Sequence, residues 1–218
     1  MLFEPLHAKK LPPGIDSKEE VYFEWWLTEL YALGYVKKFS RAIKYVLLNK
    51  VDIPCLKLKP TKKEPNRLLP STKNILKSWT YTPDYNIIWE KKALNLFFKD
   101  IDTPTDVSIS TYFYARNTVN GYLSVVDVKP IQFRAGVTST SVKFPHIQKL
   151  MMSVYDIYIN KSCPTGKGSL YQKTFTPQRY LLQDVAPKKR KISQWPVYSA
   201  GNFIKENSKQ SYDPTTIN

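Results

Sequence analysis

The sequence predicts an α/β fold, a mixed β-sheet flanked by helices. Apolar residues near the N-terminus recur at helical spacing, runs of β-branched and aromatic residues follow with turn signals between them, and a second helical stripe begins near residue 144. At 218 residues the chain can bury one sizeable core, so one domain with tails is expected.

The first helix should start at Asp16 or Ser17 and end at Gly34. Phe23, Trp26, Leu27, Leu30 and Tyr31 recur at three and four, Ser17-Lys18-Glu19-Glu20 is a capping-box sequence, and Gly34 supplies the stop. Residues 35–51 suit one or two strands. Residues 57–77, rich in Lys and Pro, suit a solvated loop or an edge hairpin. Strands are expected at 82–89, 94–98, 108–116 and 122–129, with a turn at 100–106 and Asn120-Gly121 as a hairpin signal. The second helix should run from Phe144-Pro145-His146 through Ile147, Leu150, Met151, Val154, Tyr155 and Tyr158. Trp25, Trp26, Tyr31, Phe113 and Tyr155 are expected in the core. Beyond Asn160 the pattern loosens. The expected organisation is a core over 1–160 and a basic, partly irregular C-terminal extension over 161–218, mobile or partner-dependent from Asn202 onward.

Composition narrows the function. The formal net charge of +15 attracts polyanions, of which nucleic acid is the commonest, and 14% aromatic residues could stack on bases. Cys55 and Cys163 form neither a disulfide framework nor a C-x-x-C metal spacing, and a reducing cytoplasm fits them. His7 and His146 are the only histidines, too few for a zinc cluster and too far apart for a His-based triad. Hydrolysis by this chain must therefore rest on carboxylates and a hard cation. The N-terminus lacks the pattern of a secretory signal and no apolar run is long enough to span a bilayer, so neither secretion nor a membrane location is expected.

The chemistry concentrates in three places. Residues 122–129 read Tyr-Leu-Ser-Val-Val-Asp-Val-Lys, an apolar strand ending in Asp127 and Lys129, whose alternation puts both side chains on one face. Forty-three residues before Asp127, Tyr81-Thr82-Pro83-Asp84 leads into another strand. Further upstream, Ser17-Lys18-Glu19-Glu20 opens a helix. Asp16-Ser17-Lys18 and Glu90-Lys91-Lys92 are also acid-x-Lys triplets, but only Asp127-Val128-Lys129 ends a continuous apolar strand. Glu90 lies roughly 20 Å along the strand from Asp84 at about 3.3 Å per residue, too far to share one ion. The plainer reading of Asp127 and Lys129 is an exposed ion pair.

An acid on a helix, Pro-Asp at a strand start and Asp-x-Lys on a strand resemble the PD-(D/E)XK nuclease superfamily over about residues 17–158. The resemblance implies a restriction-endonuclease-like core and a Mg²⁺-dependent endonuclease, with Mn²⁺ as the alternative ion. Phosphodiester hydrolysis needs a hydroxide and charge neutralisation at phosphate, which Mg²⁺ supplies when carboxylates hold it. Glu20, Asp84, Asp127 and the Val128 carbonyl are the implied metal shell, and Lys129 would position the attacking water. Glu20 is implied because related families carry the acid three residues after a helix-opening Ser, and it shares the face of Phe23, Trp26 and Leu27. Glu19 lies about 100° away, and Glu24 flanks the face as a reserve ligand. Asp stands where Glu is more frequent in the acid-x-Lys motif, and the long gap between Asp84 and Asp127 suggests an inserted hairpin.

The second helix often adds a polar residue to such sites, and Lys143, His146, Gln148 and Lys149 are candidates, with Lys143 and Gln148 better suited to phosphate contact. Lys188-Lys189-Arg190-Lys191 reads as a phosphate-binding run rather than a nuclear localisation signal. Gly166-Lys167-Gly168-Ser169 lacks the full phosphate-loop spacing, so no nucleotide cofactor is expected. The compact size resembles stand-alone phage and mobile-element nucleases, Holliday junction resolvases among them. That likeness implies a homodimer acting on DNA, branched DNA included. The rival from another class is a basic structural or DNA-binding protein on an inactive nuclease fold.

Overall fold

The computed structural model of the chain describes residues 11–98, 107–109, 113–129, 139–164, 170–176 and 198–208. The protein is mixed α/β. In chain order its elements are α1 (Lys18–Ala32), β1 (Val36–Arg41), β2 (Tyr45–Leu48), β3 (Val51–Leu58), β4 (Leu68–Leu76), β5 (Trp79–Tyr81), β6 (Tyr85–Trp89) and α2 (Lys91–Phe97). There follow β7 (Val107–Ile109), β8 (Tyr114–Thr118), β9 (Gly121–Val128), α3 (Ser139–Tyr155), β10 (Ile159–Ser162), α4 (Leu170–Thr174) and α5 (Ala200–Ser208). The chain divides into two compact units, one of Met1–Ile43 and Pro83–Asn218, the other of Lys44–Thr82. No helix among the described residues is long and apolar enough to cross a membrane.

The first unit holds the sheet. Its order is β1-β6-β9-β8-β7, with antiparallel neighbours throughout, and β10 adds a parallel pairing to β9. One edge of β9 is therefore shared, by β8 opposite residues 121–123 and by β10 opposite Val125 to Val128. Buried Asn160 closes the junction. Its amide donates to the carbonyls of Tyr114 and Val125, both at 2.9 Å, and its oxygen accepts the Tyr114 N–H.

Helix α1 forms as its sequence requires. Ser17 caps it, accepting the Glu20 N–H at 3.2 Å. At the other end Gly34 takes φ +72, and the N–H groups of Gly34 and Tyr35 close on the carbonyls of Tyr31 and Leu30 at 3.0 and 2.9 Å. Phe23, Trp26, Leu27 and Leu30 are fully buried against a sheet face that carries Tyr85, Ile87, Trp89, Val126 and Val128. Trp26 lies at the centre, its ring about 6 Å from those of Trp89, Phe97, Phe113 and Tyr171. Tyr31, expected in the core, is 55% exposed, with its ring 6.4 Å from that of Phe39 at the rim.

Several expected elements differ. Of residues 94–98, Leu94 to Phe97 form helix rather than strand and Phe98 ends it, because Ala93, Leu94 and Phe97 recur at three and four and bury Ala93 and Phe97. Residues 82–89 are not one strand. Pro83 has no N–H for a ladder, so β5 ends before it and β6 begins after it. The described part of region 108–116 belongs to two antiparallel strands, β7 and β8, with Val107 opposite Arg116. The turn expected at 100–106 lies outside the described residues. Helix α3 starts five residues before Phe144 with Pro145 inside it, and it ends at Tyr155 because Asp156 adopts φ +55. Its buried side stops at Met151, leaving Val154, Tyr155 and Tyr158 exposed, Tyr155 being a second residue expected in the core.

The expected boundary at 160/161 falls inside β10. Tyr171, Phe175, Ala200 and Ile204 belong to the core cluster, and Phe203 stacks on Phe97 with ring centroids 5.7 Å apart. Helix α5 thus orders residues expected to be mobile from Asn202 onward. Two aromatic or aliphatic side chains per turn suffice to dock it.

The second unit consists of two antiparallel pairs, β2 with β5 and the longer ribbon of β3 with β4. The loop or edge hairpin expected within 57–77 is instead part of a separate two-stranded ribbon that begins earlier, at Val51.

Candidate functional site

Strands β6 and β9 set Tyr85 opposite Val126. One step further in the same register brings Asp84, just before β6, opposite Asp127. Opposed residues share a face of the sheet. Lys129 is two residues beyond Asp127, and its Nζ lies 2.8 Å from Asp127 Oδ2. Asp127 is only 3% exposed, so the pair is not the solvent-facing one of the plainer reading.

Asp84 bridges the strands through the backbone. Its Oδ2 accepts the Val128 N–H at 2.6 Å. The N–H and C=O of a strand residue point to the same side, so the Val128 carbonyl also faces the β6 side. From the opposite edge, the Lys129 N–H donates to the Ser162 carbonyl at 2.7 Å, fixing the end of β9 between two strands. The parallel register sets Lys161 beside Asp127. No reading of the sequence singled out Lys161, because β10 itself was not expected.

Glu20 is buried, at 7% exposure, and sits on the α1 face with Phe23, Trp26 and Leu27 as expected. Its carboxylate is turned to other partners. The Ser17 hydroxyl donates to Oε1 at 2.9 Å, and Arg41 Nη2 lies 3.2 Å from Oε2. Arg41 Nε is 3.5 Å from Glu24 Oε2, and the Tyr85 hydroxyl lies 3.1 Å from that same oxygen and 2.9 Å from the Glu20 carbonyl. Arg41 is the second missed residue. It stands opposite Tyr85 in the β1–β6 pairing with its guanidinium 5.4 Å from that ring, and nothing in the spacing of Phe39-Ser40-Arg41 announces it.

The structure thus joins Asp84, Asp127 and Lys129, and it joins Glu20 to Arg41. Among the described residues, no group of three His, Cys, Asp or Glu converges to hold an ion. The electrostatics still link the two clusters. Burial and the neighbouring Asp127 push the Asp84 carboxyl up from 3.8 to about 7; Lys129 and the Val128 N–H pull it back, and Glu20 adds a smaller push. Two neighbouring carboxylates flanked by a carbonyl are an all-oxygen donor set suited to a hard divalent cation, which would offset the charge that disfavours ionised Asp84. On that test Asp84, Asp127 and the Val128 carbonyl could hold Mg²⁺, while the Glu20 carboxylate is engaged by Ser17 and Arg41.

The raised carboxyl has a consequence for stability. The native chain binds the Asp84 proton more tightly than the unfolded chain, so the metal-free protein loses stability as pH rises from about 4 through about 7. The side chain is half-buried, which limits the loss to about 2 kcal/mol. Urea unfolding in EDTA at pH 5 and pH 8 checks it. The wild type should lose that much more than Asp84→Asn over the interval, and the difference should vanish when Mg²⁺ is added.

The expected nucleic-acid contacts separate. Lys143 and Lys149 are exposed on α3. Gln148 is half-buried and its amide donates to the Ile159 carbonyl at 2.7 Å, tying α3 to β10. That bond already engages the amide expected to contact phosphate. Lys188, Lys189, Arg190 and Lys191 lie outside the described residues. No protein-family model matches this chain, and neither a curated protein nor a solved structure does.

Proposed function

We propose that the chain is a Mg²⁺-dependent DNA endonuclease of the PD-(D/E)XK type, with Mn²⁺ as an alternative ion and a restriction-endonuclease-like core. The observation that carries this reading is the pair of buried Asp127 and half-buried Lys129 set against Asp84 just before the adjacent strand, with the Asp84 carboxyl pushed up to about 7 by burial and by Asp127. The mixed sheet, in which the Asp-x-Lys strand lies between an antiparallel β6 and a parallel β10, agrees with it.

When bound, Mg²⁺ supplies charge neutralisation at the scissile phosphate and a water of lowered pKa. Asp84 and Asp127 hold charge at one point of the sheet. Lys129 places an ammonium beside Asp127, where it can donate to a phosphate oxygen and orient the attacking water. The net charge of +15 draws the polyanionic substrate to the chain. A homodimer cutting branched DNA in a cytoplasm is the biological setting proposed, by likeness to compact resolvases.

Lys129→Gln tests the assignment. It should slow cutting of a labelled duplex by about 10²–10³-fold, yet keep the gain in melting temperature that Mg²⁺ gives the wild type. Full activity in this variant would remove Lys129 from the chemistry, and loss of the Mg²⁺ effect would show that it merely supports the fold.

A further inference from the structure

We infer that the β3–β4 ribbon is a binding arm for duplex DNA, deepening the DNA-acting reading above by assigning it a contact surface. Residues Lys44–Thr82 carry nine Lys and Arg against two carboxylates, Asp52 and Glu64. That is +7 of the chain's +15 in under a fifth of its length. Such concentration gives a positive, self-repelling field to a ribbon that is almost wholly exposed, with only Cys55, Leu69 and Ser71 half-buried between Val51 and Leu76. A polyanion offsets that self-repulsion, whereas a second copy of the same arm would double it.

The ribbon is built to keep its shape without a covering layer. At its base the Asn74 amide donates to Asp52 Oδ1 at 2.7 Å and to the Leu76 carbonyl at 3.0 Å, and Lys50 pairs with Asp52 at 2.8 Å. At its tip the Lys59 N–H donates to the Arg67 carbonyl at 2.8 Å, and Thr61 and Glu64 exchange backbone bonds at 3.0 and 3.2 Å. The closed turn presents Lys59, Lys62, Lys63 and Arg67 together. Pro54 in β3 and Pro70 in β4 cannot donate to a further strand, so addition of a peptide or of a second ribbon at these positions is blunted.

The composition selects duplex over single strand. A single-strand platform stacks bases on aromatic rings. Between Val51 and Leu76 there is no Phe, Tyr or Trp, in a chain that is 14% aromatic. A two-stranded antiparallel ribbon fits the major groove, which is about 12 Å wide, with the tip cations on the flanking phosphates. Leu56 and Leu58 are paired with Pro70 and Leu68 on one ribbon face, an apolar surface suited to base edges and thymine methyls.

The test is the quadruple variant Lys59→Gln, Lys62→Gln, Lys63→Gln and Arg67→Gln in the full chain. Anisotropy with a labelled 30-base-pair duplex and a single strand of equal length is read in EDTA across 50–200 mM salt. Duplex affinity should fall by about tenfold or more, the salt slope should lose about 0.9 per phosphate contact removed, and single-strand affinity should change less. Unchanged duplex affinity and slope would overturn the arm. An equal loss on single strand would overturn the duplex assignment, and a changed sedimentation state with normal duplex binding would make the ribbon an interface between copies. Because EDTA removes cutting from the readout, a chain that binds through the ribbon but never cuts leaves this inference standing while the nuclease reading fails.

Discussion

On the proposed nuclease reading, Asp84→Ala should lower DNA cleavage by about 10³-fold or more, while binding to duplex in EDTA should be unchanged or tighter. The expectation follows from where the carboxylate sits. It opposes Asp127 across β6 and β9, and burial beside that second acid already holds it up near 7. Removing it deletes one of two charges that can hold a cation, and it also deletes a negative group that repels phosphate. The fold should survive. The lost hydrogen bond to the Val128 N–H, worth about 1–2 kcal/mol, is offset by relief of a carboxylate that disfavours its charged form. Matching circular dichroism spectra with wild-type cutting would dismiss Asp84 from the site.

Trp26→Ala destabilises the protein by about 4 kcal/mol, enough to consume much of the stability of an ordinary domain. Trp26 is fully buried, and its ring meets that of Phe23 on α1 and four others drawn from β6, α2, the segment before β8 and α4. Its indole N–H has no partner among the described residues, so its loss is one of packing alone. Urea unfolding should show a lower midpoint with an unchanged slope. Trp26→Phe should cost less than half as much, and Tyr31→Ala under about 0.5 kcal/mol because Tyr31 faces solvent. A small effect at Trp26 would mean that α1 does not depend on this cluster. Since α1 also carries Glu20 and meets the Tyr85 hydroxyl, the packing link reaches the candidate site.

The sequence made legible what local periodicity and turn chemistry govern. Helix α1, its Ser17 cap and its Gly34 stop follow from side-chain spacing and backbone sterics, and so does the Asn120-Gly121 hairpin. The common face of Asp127 and Lys129 follows from the period of two. Residues 94–98 were misread because four apolar positions in a short run satisfy either period, and only the positions of Ala93 and Phe97 against the core decide for helix. Strand β10, too short and polar to announce itself, exists because the free edge of β9 and the Asn160 amide complete it. Arg41 and Lys161 were hidden for the same reason. Their relation to Glu20 and Asp127 is set by long-range pairing, which composition and spacing do not encode.

The most direct test of the proposed activity is cleavage of a labelled four-way junction, linear duplex and single strand by the purified wild-type protein, in Mg²⁺ and in EDTA. The proposed activity requires cutting of DNA in Mg²⁺ that EDTA abolishes, with the junction alone cut if the chain is a resolvase and all three cut if it is a general nuclease. Binding without cutting, in Mg²⁺ or Mn²⁺, would contradict it and leave a basic DNA-binding protein on an inactive site.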